Sequence, residues 1–202
     1  TMAEVIHNHE EGIFKDITFS PDQMYELRIA AYMHDIGKVT SPVEIVEKAK
    51  KLQTIFDRIH YVRLRMDYMI QKVKLEGQQK KIELLEKKAD PAEIKKIESD
   101  SEEQIKELED IRAFINKCNE PGEFLEDETL ERLKEIAQRT YLDNEGQEQP
   151  FITDDELVNL SIRRGSITEA ERKKMQDHAA VTLRMLKQIP FTKKLKNIPS
   201  FA

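Results

Sequence analysis

The stretch "HDIGK" at residues 34–38 contains two side-chain types that bind metal ions. His34 and Asp35 are adjacent, so on a helical turn their side chains diverge by about 100°. They can reach a common point only if it lies between those two directions. A metal ion is such a point, because imidazole nitrogen and carboxylate oxygen both bind one at about 2.0–2.2 Å. The stretch therefore predicts a metal site.

A third candidate ligand, His178, lies on the last long predicted helix. Met175, His178, Thr182 and Leu186 recur at spacings of three and four residues, so His178 should lie on the apolar face. Taken alone, a satisfied core histidine is the more common reason for such a position. His34 and Asp35 alone are equally compatible with an ordinary helix end.

The residues around both candidates resemble the HD-GYP branch of the HD-domain phosphohydrolases. In that family an "HDIGK" helix end is followed, through a proline, by G-x-L-T-x-x-E-x-x-x-(M/I)-x-x-H. Here the second segment is "GSITEAERKKMQDH" at residues 165–178, with Ile167 in place of the usual leucine. The flanking "YELRIAA" and "VTLRMLKQIPF" fit the same pattern. The resemblance implies an all-α HD-domain core.

The resemblance also implies a role for each matching residue. His34, Asp35 and His178 would bind divalent metal ions, Fe or Mn, with two or three ions in the complete site and Asp35 bridging two of them. Asp35 and Lys38 would be catalytic, with Lys38 facing the scissile phosphate and binding substrate. The alternative for Lys38 is a solvated lysine that complements a helix C-terminus. Gly37 would end the helix and let the chain turn sharply after the ligands.

The chain departs from the family pattern near both ends. The family shows an upstream histidine ligand, and a His-His pair with Gly-Tyr-Pro after an "IPxxA" stretch, which here is "IPSFA" at 198–202. We therefore expect a fragment that holds three ligand positions and the lysine but an incomplete site. His7 and His9 lie nearer to the HD pair, and we interpret them as surface residues.

Other charged groups are weaker candidates. Arg163 and Arg164 could bind a phosphate of a dinucleotide, because guanidinium groups suit phosphate. Exposed basic residues near a helix start are the more common explanation. His60 and the acidic run 154–156 are interpreted as solvated surface and as helix N-terminal charge.

Helix start and stop signals predict the elements that position these residues. Ser20 should cap a helix that begins at Pro21, after a first helix over 3–11, and Pro42 should open another. Thr153 and Thr168 each precede a glutamate by three residues, a capping-box pattern, and Pro190 should end the last helix. "YLDNEGQEQP" at 141–150 is predicted to be loop. No alternation of apolar and polar residues typical of a strand extends beyond four residues, so the predicted fold class is all-α.

A long helical hairpin is predicted between the two motif segments. Only Gly77 interrupts the helical pattern from 44 to 88, which gives a first arm of about 60 Å. A heptad seam runs along it, and a second charged helix follows Asp90 and Pro91. The members of the seam are Ile55, Ile59, Val62, Met66, Met69 and Val73. We expect an HD core over 1–43 and 121–202, with the hairpin 44–120 inserted, and a homodimer through the hairpin; packing on its own body stays open.

Composition limits the classes of function. Charged residues make up 36% of the 202 residues, above the roughly 25% of ordinary domains, so much of the chain is solvated surface. The net charge of −6 argues against a DNA-binding surface. A single cysteine, Cys118, excludes an intramolecular disulfide and favours a reducing compartment, and no apolar run could span a membrane. We expect a cytoplasmic protein without membrane contact.

The function expected from the resemblance is a metal-dependent phosphodiesterase output domain in bacterial signalling. Its substrate would be a cyclic dinucleotide, cyclic di-GMP, and an upstream sensory or receiver domain would control it. The alternative is a catalytically inactive helical signalling or dimerisation module with a vestigial HD site. The long hairpin motivates this alternative, because an ordinary HD domain has no need of it.

Overall fold

The chain forms two compact units in a computed structural model that describes residues 1–9, 11–122 and 124–202. Unit 1 consists of Thr1–Val46 and Glu169–Ala202, and unit 2 of Glu47–Thr168. Residues 121–168 thus belong to the same unit as the predicted hairpin. The division into an HD core and an insertion stays a prediction.

Unit 1 opens with two helices, α1 (Met2–His7) and α2 (Pro21–Met33). Ser20 caps α2 as predicted: its hydroxyl accepts the Gln23 N–H at 3.2 Å, and the Gln23 side chain accepts the Ser20 N–H at 2.8 Å. Two predicted ends are wrong. The helix predicted over 3–11 ends at His7. Helix α2 ends at Met33 and not at Gly37, because the backbone tightens into a 3₁₀ helix over Ile36–Thr40.

The rest of unit 1 packs on α2, on the 3₁₀ helix Ile36–Thr40 and within itself. It comprises α3 (Val43–Val46), which follows Pro42 as predicted, α8 (Glu169–Gln188), a 3₁₀ turn (Lys193–Leu195) and α9 (Ile198–Phe201). Its small core is Ala30, Leu186 and Ile198, surrounded by Met33, Ile36, Phe191 and Leu195. The backbone N–H and side-chain amide of Asn197 donate to the buried Glu26 carboxylate at 2.7 and 3.0 Å. These bonds tie the last turn of the chain to α2.

Unit 2 contains the predicted hairpin, α4 (Ile59–Glu86) and α5 (Pro91–Asn119). The Asp90 side chain accepts the Ala92 N–H at 2.9 Å and Pro91 takes the first helical position, as predicted. The first arm is shorter than predicted: α4 has 28 residues, about 42 Å. Residues 47–58 are irregular because their N–H groups bond elsewhere, for example Leu52 N–H to Asn119 Oδ1 at 2.8 Å.

The predicted heptad seam of α4 packs on α5 of the same chain. The side chains of Ile59, Val62, Met66 and Met69 are buried in one core with α5. The partners from α5 in that core are Leu108, Ile111, Ile115 and Cys118. Ile55 is the exception, because it lies before α4 and is 91% exposed. We call this inward-facing row the inner seam.

Three further elements complete unit 2: α6 (Asp127–Ala137), an antiparallel pair of strands β1 (Thr140–Leu142) and β2 (Glu148–Pro150), and α7 (Asp154–Leu160). The loop predicted over 141–150 is therefore wrong. Asp143 Oδ1 accepts the N–H groups of Glu145 and Gln147, both at 2.9 Å, and this turn chemistry aligns the strands. The Thr153–Glu156 capping box of α7 is confirmed.

The fold is mostly helical, which agrees with the predicted all-α class apart from the β1–β2 pair. Among the described residues, no helix is both long and apolar enough to pass through a membrane. The HD-domain arrangement of the helices stays a prediction.

Candidate metal and phosphate site

The carboxylate of Asp35 lies between two histidines in unit 1. Its Oδ2 is 3.0 Å from His34 Nε2, and its Oδ1 is 3.4 Å from His178 Nε2. His34 follows the last residue of α2, Asp35 precedes the 3₁₀ helix, and His178 comes from the middle of α8. The three side chains predicted as ligands are thus together, although two of them are more than 140 residues away from the third in sequence.

Both histidine rings are oriented by a backbone carbonyl one turn earlier. His34 Nδ1 lies 2.7 Å from Ala31 O, and His178 Nδ1 bonds Met175 O. A carbonyl can only accept, so in each ring Nδ1 carries the proton and Nε2 is directed to Asp35. Metal-binding histidines in proteins are commonly held in this way, with the outer ring N–H donated to a carbonyl or carboxylate.

Lys38 contacts the same carboxylate. Its Nζ donates to Asp35 Oδ2 at 2.6 Å, and both side chains are partly exposed. This hydrogen bond is the largest cause that holds the pKa of Asp35 below its ordinary value, and the neighbouring charges of His34, Lys38 and His178 act in the same direction. Asp35 therefore stays an anion to lower pH than an ordinary aspartate does.

Gly37 brings the 3₁₀ helix against α8. Its N–H donates to the buried Thr182 Oγ1 at 2.9 Å, and a Cβ at this position would lie 2.2 Å from His178 O and 2.6 Å from Thr182 N. The sequence-based reason for Gly37, a sharp turn at a helix end, is wrong: only Gly12, Gly146 and Gly165 have positive φ among the described glycines. The glycine is needed for close backbone approach.

Thr182 is the residue of this site that sequence reasoning left without a role. It was placed on the apolar face of the last helix, and it is indeed buried. Its one-turn spacing from His178 was the available signal, because a hydroxyl on an apolar face needs a partner from another element.

The donor types fit a divalent cation in part. Two imidazoles whose Nε2 atoms face a carboxylate are, with that carboxylate, ligand types that Mn, Fe and Zn accept. Among the residues that the structure describes, however, no set of three His, Cys, Asp or Glu side chains has the arrangement of a ready-formed metal site. The Lys38 ammonium group occupies Asp35 Oδ2 instead. A bound ion would need Lys38 to leave that oxygen.

The remaining candidates lie elsewhere. Arg163 and Arg164 belong to unit 2, where Arg163 pairs with Asp127 Oδ1 at 2.5 Å and lies over the ring of Phe124. Their phosphate contact stays a prediction. His60 is exposed on α4, and His7 accepts the Phe19 N–H at 3.1 Å.

The acidic run at the start of α7 has partners that the sequence did not indicate. Asp155 pairs with Arg58 at 2.6 Å, and the buried Glu156 pairs with Arg65 at 2.5 Å. Glu156 Oε2 also accepts the Thr153 N–H of the capping box. These carboxylates link α7 to the first turns of α4.

Comparisons of the chain with family models, with curated proteins and with solved structures gave no match.

Proposed function

We propose that unit 1 carries a metal-dependent phosphodiesterase site of the HD-GYP type. The observation that carries the proposal is the Asp35 carboxylate with a histidine Nε2 on each side, 3.0 and 3.4 Å away. The substrate class comes from the sequence resemblance: a cyclic dinucleotide, cyclic di-GMP. The same resemblance supports an output role in the cytoplasm, controlled by a sensory or receiver domain.

In this proposal His34, Asp35 and His178 hold the divalent ion. The ion would supply Lewis acidity and an activated water for attack on phosphorus. The carbonyls of Ala31 and Met175 fix the ring orientations, so the ligands are positioned before the ion arrives. Three side chains can hold one ion with water completing its coordination; a second ion needs more ligands.

Lys38 would bind the phosphate. Its ammonium group is already within 2.6 Å of Asp35, so a small side-chain movement from that carboxylate places a positive charge beside a phosphodiester held there. A fixed cation favours the transition state, in which negative charge on the phosphoryl oxygens increases. The phosphodiester would replace Asp35 as the partner of Lys38, and the ion would replace Lys38 as the partner of Asp35.

The test measures metal binding and hydrolysis on the full-length protein. Calorimetric titration with Mn²⁺ should show binding that His34→Ala and His178→Ala each weaken by about 10- to 100-fold. His60→Ala, an exposed histidine on α4, is the matched control and should bind as the wild type does. Hydrolysis of cyclic di-GMP with Mn²⁺ present should fall in parallel. Metal binding that is indifferent to both histidines would refute the proposal.

Lys38→Met separates the two roles. It removes the ammonium group and keeps the length of the side chain, so metal should bind at least as well, while hydrolysis should fall by about 10²- to 10³-fold. A variant that loses metal binding instead would show that Lys38 supports the ligands and does not bind phosphate.

One observation favours the alternative, a helical module with an inactive HD site. Lys38, His34 and His178 already satisfy Asp35 without any ion, and the described residues contain no ready-formed metal site. A protein that binds no Mn²⁺ or Fe²⁺ and leaves cyclic di-GMP intact, while its folding depends on this ion-pair network, would establish that alternative.

A further inference from the structure

Helix α4 carries a second heptad row on the side away from α5. Starting at Tyr61, residues recur at alternating steps of three and four through Leu85, over about 36 Å of helix. The row is Tyr61, Leu64, Tyr68, Gln71, Leu75, Gln78, Ile82 and Leu85. We call it the outer seam. It is distinct from the inner seam, whose members are buried against α5.

The outer seam is apolar or neutral at every position, in a chain with 36% charged residues. Leu64 is 66% exposed, and Leu75, Ile82 and Leu85 are 54–55% exposed. Tyr68 is half-buried beside Tyr141, and its hydroxyl donates to Asn144 Oδ1 at 3.0 Å. A solvated helix face normally carries charges, so an uncharged heptad row of this length is typical of a coiled-coil contact.

We infer that the outer seam binds the outer seam of a second copy of this chain, parallel and in register. The heptad seam through which the sequence suggested that two copies could join is the inner seam, and in the structure that row packs on α5 of the same chain. The inference concerns unit 2 and does not depend on the chemistry proposed for unit 1.

The two glutamines favour the parallel, in-register pairing. A heptad seam alternates between two core positions. The first is occupied by Tyr61, Tyr68, Leu75 and Ile82, and Gln71 and Gln78 lie at the second. In a parallel pair each glutamine meets its own copy, so the two amides can bond each other. In an antiparallel pair each glutamine would face a tyrosine, leucine or isoleucine, so the two amides could not bond each other, and an amide that faces leucine or isoleucine would have no partner.

The flanking charges also select the parallel pair. In a parallel, in-register pair, the residue that directly precedes each first core position lies opposite a residue of the second copy whose number is five higher. Asp67 then meets Lys72 of the second copy, whose Nζ donates to Leu142 O at 2.8 Å within its own chain, and Lys81 meets Glu86 of the second copy; both pairs attract. Asp67 already pairs with Arg112, and Lys81 with Glu98, so the contacts between copies would extend existing ion pairs.

Antiparallel pairings bring like charges together. One alignment sets Lys72 and Lys74 each against its own copy, and the other sets Lys74 against Lys81. Both also contain an attractive contact of Asp67 with a lysine, Lys81 or Lys88, whereas the parallel pair contains attractive contacts without a lysine–lysine contact. Electrostatic complementarity selects among such arrangements more strongly than it adds affinity.

The first test is the mass of the full chain by sedimentation equilibrium. The wild type should be in monomer–dimer equilibrium, and the double variant Leu75→Glu, Ile82→Glu should raise the dissociation constant by about a hundredfold or more. Val158→Glu replaces an equally exposed apolar residue of α7 and should leave the equilibrium unchanged. Both substituted seam residues are exposed, so we expect the variant to fold. Unchanged helicity by circular dichroism would verify this.

The second test gives the orientation. Leu64→Cys and Leu85→Cys, each alone, should form disulfide-linked dimers under mild oxidation, because each meets its own copy only in a parallel, in-register pair. Val158→Cys is the control, and the native Cys118 is buried. A wild type that stays monomeric, or a dimer that the seam variants leave intact, overturns the inference. Cross-linking between Leu64→Cys and Ile82→Cys in a mixture, but of neither alone, overturns the parallel arrangement.

Discussion

Gly37 donates its N–H to Thr182 Oγ1 at 2.9 Å, and the same contact leaves no space for a side chain on residue 37. The atoms in the way are backbone atoms of α8, His178 O and Thr182 N, which cannot rotate aside as a side chain would. Because His178 lies on this turn, the separation between Asp35 and His178 depends on the absence of a Cβ at residue 37.

Gly37→Ala should therefore disrupt the site as well as the fold. Overpacking of this kind costs about 1–3 kcal/mol of unfolding free energy, measured by urea denaturation. Gly122→Ala is the control, since a Cβ there would have no neighbour within 4 Å. If Gly37→Ala unfolded at the same urea concentration as the wild type, the 3₁₀ helix would not be held against α8 in solution.

Thr182→Val should destabilise unit 1 by removing the acceptor of the Gly37 N–H. Valine has nearly the shape of threonine, so the loss isolates the hydrogen bond, and an unsatisfied buried N–H costs about 1–3 kcal/mol. Thr182→Ser keeps the hydroxyl and should lose less stability than the valine variant. A valine variant as stable as the wild type, and more stable than the serine variant, would show that the methyl group, and not the hydroxyl, matters at this position.

The site residues were readable from the sequence because their signals are local. The pair His34–Asp35 and the face that carries His178 follow from adjacency and helical spacing alone. That Asp35 and His178 lie together was implied only by the family resemblance, and the reasons for Gly37 and Thr182 were not readable, because they depend on how the 3₁₀ helix approaches α8. That approach is a tertiary relationship between segments far apart in the chain.

The fold shows the same division. The caps Ser20, Asp90 and Thr153 were predicted correctly because each bonds an N–H within three residues. The predicted start of α4 is wrong because residues 47–58 have helical spacing but bond elsewhere: Lys51 and Leu52 donate their N–H groups to Asn119, and those of Ala49 and Lys50 go to Gln53 Oε1. The β1–β2 pair was missed because each strand has only three residues, too short to show alternation.

Glu26→Ala should release the end of the chain from α2. The buried Glu26 carboxylate accepts both the backbone N–H and the side-chain amide of Asn197, so its removal leaves two donors without partners. We expect a loss of about 1–3 kcal/mol and faster amide hydrogen exchange in α9. Glu44→Ala, on the exposed side of α3, is the control. Unchanged exchange in α9 would contradict the role assigned to Glu26.

Lys51→Met should change how the stability of unit 2 depends on pH. Lys51 is almost fully buried and bonds Leu160 O at 3.2 Å, and its burial lowers the pKa of the ammonium group below the ordinary 10.5. Below the lowered pKa the folded state carries the full penalty of a buried charge. As the pH rises from that value to 10.5, the unfolded chain holds the extra proton, so wild-type stability should increase. The unfolding free energy of the wild type, measured relative to that of Lys51→Met, should therefore increase over this pH range. The exposed Lys95→Met is the control and should show no such trend. A difference between Lys51→Met and the wild type that stays constant with pH would mean that the buried ammonium group is not penalised.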